Sequence, residues 1–450
     1  MRNMNGKLSA GLDIGTTTIS AVVLDTETGE VCAVRNVPND GEMVSAFSWE
    51  HRQDPEKILS AVTGLLREIT DTYRISSIGI TGQMHGILYV SPEGKALSPL
   101  YTWQDGRAGL GTPSACEMIR QKTGYRVPAG YGLATHYALS LLGEAPLPAY
   151  LCTIMDYTAM VLCGLPKPVI HTTNAASLGL FRIGYGRFDE KALTVLGLEP
   201  AMLPEVTDRY EILGHWQGIP VSVGIGDNQA AFLGSVREPE NTVLVNIGTG
   251  SQISVLCGRN AELMEGAVET RPFDEHTCLL SGSGLCGGRA YAMLERFFRG
   301  YAAALGLPER EQYETMNALA AKGLEEKNIL HVRTTFCGTR DDPDLRGEIT
   351  GIGEEDLTPE GLCSGVLTGM AAELYGMYET MPHGKAAFLT ASGNGVRKNP
   401  VLQKILEEMF GMPVRIPVYT EEAALGAAVF AARANGAADL RHCIRYQTHQ

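Results

Sequence analysis

The chain has 450 residues, 44% of them hydrophobic, enough for two or three cored domains. Its net charge of −14, with no long Lys/Arg run, argues against a nucleic-acid partner or an anionic-membrane surface. Ten scattered cysteines, with no C-x-x-C pair and no histidine pair at zinc spacing, read as the reduced thiols of a cytoplasmic protein.

The opening MRNMNGKLSAGLDIG passes straight into a strand pattern rather than a leader. No apolar run approaches the ~18 residues that span a bilayer. A hairpin follows over 8–37, turning at Glu27-Thr28-Gly29. DPEKILSAVTGLLREIT predicts a helix with Asp54 at its N-cap and Pro55 at its first position. A buried strand at 75–80 runs into TGQMHG, where Gln83 and His85 interrupt an apolar stretch between Gly82 and Gly86. The middle reads as helices and Pro/Gly-rich loops, up to a second buried strand, VSVGIGD (221–227). The last third alternates helix, strand and Gly-rich loop. It ends in EEAALGAAVFAARANG, an Ala/Gly-rich helix whose small side chains suit close packing on a sheet.

Two segments resemble each other. GLDIGTTTISAVVLD (11–25) and LVNIGTGSQISVLCG (244–258) are both apolar strand, polar residue, Ile-Gly-Thr turn and second strand. One copy in each half implies two related α/β domains, 1–238 and 239–450, joined at the polar, Pro-containing REPEN. Two such turns facing one another would border a ligand cleft.

Five stretches carry candidate chemistry. Asp13 precedes a Gly-Thr-Thr-Thr turn, whose backbone donors suit a phosphate while the carboxylate suits magnesium; the same turn also serves as an ordinary hairpin. NIGTGS (246–251) is its counterpart. Asp227 stands between a strand and the helix NQAAFLGSV, as a helix cap, a catalytic base or both. At that N-terminus its anionic form is favoured, so it would be a weak base. YTWQDGRAG gathers Trp103, Gln104, Asp105 and Arg107, either as a surface salt bridge or as the wall and donors of a polyol site. ASGNGVRKNPVLQ (391–403) is a Gly-rich strand-to-helix turn, a plain connection or a nucleotide contact.

In this order and over roughly 8–433, the five stretches resemble the FGGY family of carbohydrate kinases. The resemblance implies an actin/Hsp70-like ATPase fold: two ribonuclease-H-like α/β domains around an interdomain cleft, using ATP and Mg2+. It implies Asp227 as the base and Asp13 as the metal carboxylate. Thr16, Thr17, Gly248 and Thr249 become the phosphate cradle, and Gly288 a further nucleotide contact beside Gly287. Gln83, His85, Trp103, Asp105 and Arg107 become the sugar site. Gly393, Asn394 and Asn399 become the adenosine edge, although the family's more usual three consecutive glycines are absent there. The expected activity is phosphorylation of a ketose on its terminal hydroxyl. GQMHG, WQDGR and the LCGLP…NAAS run favour sedoheptulose, with xylulose or another polyol as the alternative. The expected partners are the sugar and ATP, with the protein a cytoplasmic monomer or homodimer. Phosphate turns alone also suit an ATP-driven chaperone or filament protein, but Asp227 and the polyol loop oppose that.

Overall fold

The hairpin that opens the chain sets the first sheet. Strands β1 (Leu8–Ile14) and β2 (Thr18–Asp25) pair antiparallel down to Ile14 opposite Ile19. Strand β3 (Glu30–Pro38) continues the meander after the Glu27–Gly29 turn, where Gly29 takes a positive φ. Helix α1 (Pro55–Thr72) begins where sequence predicted, with the Asp54 carboxylate accepting from Glu56 and Lys57 N–H. It returns the chain to β4 (Ile75–Gly82), parallel to β1. Helices α2 (Gly132–Leu142) and α3 (Thr172–Ser177) lie in the long middle segment. The sheet is completed by β5 (Ile212–Trp216), β6 (Ile219–Ser222) and β7 (Ile225–Gly226), in the order β5-β6-β4-β1-β2-β3 with β7 also on β4. The single strand expected at 221–227 is therefore broken between Ser222 and Ile225, and helix α4 (Asp227–Ser235) follows at once.

The second sheet repeats the plan. Strands β8 (Thr242–Ile247) and β9 (Ser251–Gly258) form its hairpin. Strands β10 (Val268–Pro272) and β11 (Thr277–Gly284) extend one edge. Helices α5 (Gly288–Ala304), α6 (Tyr313–Glu325) and α7 (Pro359–Thr380) intervene before β12 (Phe388–Ser392), which pairs parallel to β8 as β4 does to β1. Helices α8 (Asn394–Arg397) and α9 (Pro400–Phe410) lead to β13 (Val414–Arg415), giving the order β10-β11-β9-β8-β12-β13.

This computed structural model describes residues 7–260, 263–264, 266–327, 330–339, 342, 344–382 and 386–448. The first six residues, part of the start read as leader-free, lie outside them. The chain divides into two compact units, but not at one point in sequence. The first runs to Arg237 and takes in Arg271–Thr277 and Glu421–Arg445; the second holds Glu238–Thr270 and Cys278–Thr420. The C-terminal helix Glu422–Ala434 packs in the first unit. A Cβ on Gly11 would lie 1.9 Å from the Ala424 carbonyl oxygen, and one on Gly79 1.9 Å from that of Ala427. That approach explains the helix's small-residue composition. No helix among the described residues is long and apolar enough to cross a membrane.

Candidate functional site

Three parallel strands of the first unit end side by side, Ile14 opposite Gly82 and Gly82 opposite Gly226. Loops beyond the C-terminal ends of parallel strands are where α/β folds gather ligand groups. Asp13 is one residue before the end of β1, and Asp227 is the first residue after β7. Burial, then the carboxyl of Asp227 and then that of Glu421, push Asp13 up to about 7. Asp227 does not cap its helix. Gly226 holds the N-cap position, with no side-chain cap bond, and Asp227 is the first helical residue. Nor is its acidity strengthened: burial raises its pKa, against the opposing Arg271 charge and the Asn228 N–H. Loss of hydration outweighs the helix end, so Asp227 is a better base than sequence predicted.

A divalent cation would relieve this like-charge repulsion. Among the described residues no group of three or more His, Cys, Asp or Glu side chains gathers as a metal cage. Two carboxylates are nonetheless a donor set that fits Mg2+, which keeps waters and substrate phosphate oxygens as its other ligands.

The 15–17 turn is held from behind by amides that sequence reasoning missed. Asn39 Nδ2 donates to the Gly15 carbonyl (2.8 Å) and Gln53 Nε2 to that of Thr16 (2.7 Å). Gln83 Nε2 donates to Gln53 Oε1 (2.7 Å), and its own Oε1 accepts from the Thr16 hydroxyl (3.4 Å). Trp103 Nε1 in turn donates to Thr16 Oγ1 (3.1 Å). Gln83, Thr16 and Trp103 are therefore brought together, and the buried Gln83 amide also braces the turn. Thr17 is exposed. Trp103 is 47% exposed, an apolar face available to a ligand, and Gln104 beside it is exposed too.

Asp105 and Arg107 form a buried fork rather than a surface pair. Arg107 Nε donates to Asp105 Oδ1 (2.7 Å) and its Nη2 to Oδ2 (3.0 Å), with their side chains 9% and 0% exposed. Arg107 also meets Glu50 (3.3 Å), and Asp105 accepts the His51 N–H (3.2 Å). These contacts fix the loop that carries Trp103. Arg107 Nη1 takes part in none of these bonds.

His85 takes its partners from elsewhere. Its Nδ1 lies 2.8 Å from the Ser177 carbonyl oxygen, its N–H donates to Ser177 Oγ (3.2 Å), and its ring stacks on Tyr131 at 4.2 Å. The flanking glycines answer close backbone approaches. A Cβ on Gly82 would meet the Ile14 oxygen at 2.5 Å, and one on Gly86 the Tyr101 oxygen at 2.6 Å. The positive φ falls instead on His85 itself, at 74°. Such outliers persist where surrounding bonds over-determine them.

In the second unit the 248–250 turn joins β8 to β9 and is covered by the start of α5. Gly288 N–H donates to the Gly248 carbonyl (2.9 Å) and Arg289 N–H to that of Thr249 (3.1 Å). A Cβ at Gly287 would lie 2.2 Å from the Gly250 oxygen. Gly248, Thr249, Gly288, Gly393, Asn394 and Asn399 all line one cavity of about 880 Å3, within the ~300–1,000 Å3 usual for small-molecule sites. Gly393 has φ 87° and lies on Ile247, and Asn399 Oδ1 caps α9 by accepting the Leu402 N–H. Tyr291, Tyr313, Asn317, Leu367 and Met370 supply walls that no motif marked. They come from helices whose apolar spacing looks like any core face.

The fold is that of a two-domain kinase with actin-like ATPase architecture. The chain aligns with the crystal structure of ligand-bound xylulose kinase from Lactobacillus acidophilus at TM-score 0.82 and 20% identity, over 98% of this chain and 93% of that one. Gluconate kinase from the same organism aligns at 0.84 and 20%, over 99% and 93%. The chain belongs to the FGGY family of carbohydrate kinases: the family's N-terminal domain matches residues 8–234 and its C-terminal domain residues 245–435. It is a phosphotransferase acting on a sugar hydroxyl, with ATP as donor. Among curated proteins it is 26% identical to sedoheptulokinase of Mus musculus, over 90% of this chain and 94% of that protein. It is 27% identical to glycerol kinase 1 of Clostridium tetani, over 96% and 90%.

Proposed function

We propose that the chain is a magnesium-dependent ketose kinase converting sedoheptulose to sedoheptulose 7-phosphate. The observation that carries the chemistry is the pair Asp13 and Asp227 at adjacent strand ends, with the Asp227 pKa raised by burial. The choice of sugar is supported by the mouse and human relatives named sedoheptulokinase, each 26% identical, and by the WQDGR and NAAS stretches.

In this reading the sugar's terminal hydroxyl attacks the γ-phosphate, and Asp227 accepts its proton late, when the bond to the leaving group is largely broken. Magnesium, when bound, neutralises phosphate charge. Asp13 would hold it through its carboxylate or bound water. Backbone N–H groups of Thr16 and Thr17 and of the 248–250 turn donate to phosphate oxygens as charge develops. His85 and Trp103 orient the sugar. The walls around Gly393 and Asn394 take the adenosine. The family's use of ATP suits a cytoplasmic enzyme, acting as monomer or homodimer.

Because xylulose and glycerol kinases are also among the relatives, the test is a panel of sedoheptulose, xylulose, gluconate and glycerol in an ATP-consumption assay. Sedoheptulose should give the highest kcat/KM. A higher value for another acceptor overturns the sugar assignment, and ATP turnover indifferent to every sugar overturns the kinase reading of these residues.

A further inference from the structure

Helix α3 stands behind both His85 and Asp227. Ser177 engages two polar groups of His85. Its carbonyl accepts from Nδ1 at 2.8 Å, and its hydroxyl oxygen accepts the backbone N–H at 3.2 Å while donating to the Asn174 carbonyl at 2.8 Å. A carbonyl only accepts, so Nδ1 carries the proton in this contact. Four residues earlier, the Thr173 hydroxyl oxygen accepts the Gly226 N–H at 3.0 Å. Asn174 Nδ2 donates to the Gly224 carbonyl at 3.1 Å. Both ends of the Gly224–Gly226 segment, which delivers Asp227, are thus pinned to the same helical turn that pins His85. Thr173, Asn174 and Ser177 are all buried, at 2%, 0% and 5% exposure, so water does not compete for these bonds. Thr173 spends its own proton on His171 Nδ1 (3.0 Å), which also accepts the Thr173 N–H (3.3 Å).

We propose that Thr173, Asn174 and Ser177 are positioning residues that tie the sugar ligand His85 and the base Asp227 into one rigid pair. This rests on the roles given to His85 and Asp227 under the proposed function. The segment sets the spacing between the sugar ligand and the proton acceptor, and errors in such spacing fall on turnover and sugar binding rather than on ATP binding. Because one helix holds both, disturbing either end disturbs the other.

The test is steady-state kinetics of full-length variants with sedoheptulose and ATP varied separately, alongside Tm. Thr173→Val removes the oxygen that holds Gly226 and should lower kcat about tenfold or more, with ATP KM unchanged; Thr173→Ser, which keeps the oxygen, should restore kcat to within about twofold. Ser177→Ala should raise sugar KM about fivefold with a smaller change in kcat. The double variant should depart from additivity, since both changes act through one helix. If Thr173→Val does not fold, Thr173→Cys takes its place. The inference is overturned if the variants lower Tm while kcat and sugar KM stay at wild-type values, or if Thr173→Ser is as impaired as Thr173→Val. Asp227→Asn and His85→Ala serve as references. Full activity in these would overturn the reading of the site itself, whereas their loss beside unimpaired Thr173→Val and Ser177→Ala would overturn the brace alone.

Discussion

The Asp227 carboxyl helps to keep Asp13 protonated. Burial and then the Asp227 carboxyl push Asp13 up to about 7, and burial raises Asp227 as well. Folded Asp13 therefore holds a proton that the unfolded chain, near its ordinary 3.8, has released. Stability falls as pH rises between those values, by roughly 4 kcal/mol at the most. Asp13→Asn should raise Tm at pH 8 and leave it nearly unchanged below pH 4, where both states are already protonated. An equal Tm shift at both pH values would contradict the assigned protonation. Magnesium competes with the same proton, so its affinity, read by calorimetry, should weaken below about pH 7.

Asp227→Asn should lower kcat by a factor on the order of 10²–10⁴, the usual contribution of a general base, with the ATP dissociation constant unchanged. Stopped-assay turnover near the wild-type rate would remove Asp227 from that role.

His85→Ala should raise the sugar KM by roughly ten- to a hundredfold, because the sugar would lose the contact that the proposed function assigns to the imidazole. ATP KM should hold. If ATP KM rises in step, His85 supports the fold rather than the sugar.

Arg107→Ala strands Asp105, a carboxylate with no exposure, without its fork. Removing one partner of a buried pair costs about 3–5 kcal/mol. The variant should lose that much in denaturant unfolding. A loss under about 1 kcal/mol, as for exposed pairs, would refute the buried-fork description.

Gly426→Ala pits helix propensity against packing. Alanine is favoured over glycine in a helix by about 1 kcal/mol. Here, however, a Cβ would lie 1.7 Å from the Ala230 carbonyl oxygen. The clash should win, so Tm should fall. A rise would mean that the helix Glu422–Ala434 sits farther from α4 than described.

The sequence by itself determined a good deal of this protein. Strand periodicity, the Asp54-Pro55 helix start and the repeated Ile-Gly-Thr hairpins are local signals. They were enough for two α/β halves, and the order of five motifs was enough for the family. What chain order does not encode is which distant segments meet. Glu422–Ala434 packs in the first unit, where Gly11, Gly79 and Gly234 open a backbone-close berth. Gln83 was marked from sequence as a sugar contact, but that its amide also braces Gln53 and Thr16, 30 and 67 residues away, is visible only in the fold. Asp105 and Arg107 looked like a loose pair until Glu50 and His51 closed over them. Asp227 looked like a weak base because a helix N-terminus is visible in sequence, whereas the desolvation that outweighs it is a property of packed surroundings. Hydrogen-bond partners and dielectric environment arise only when remote residues pack, so tertiary structure decided which of the marked side chains remain open to a ligand.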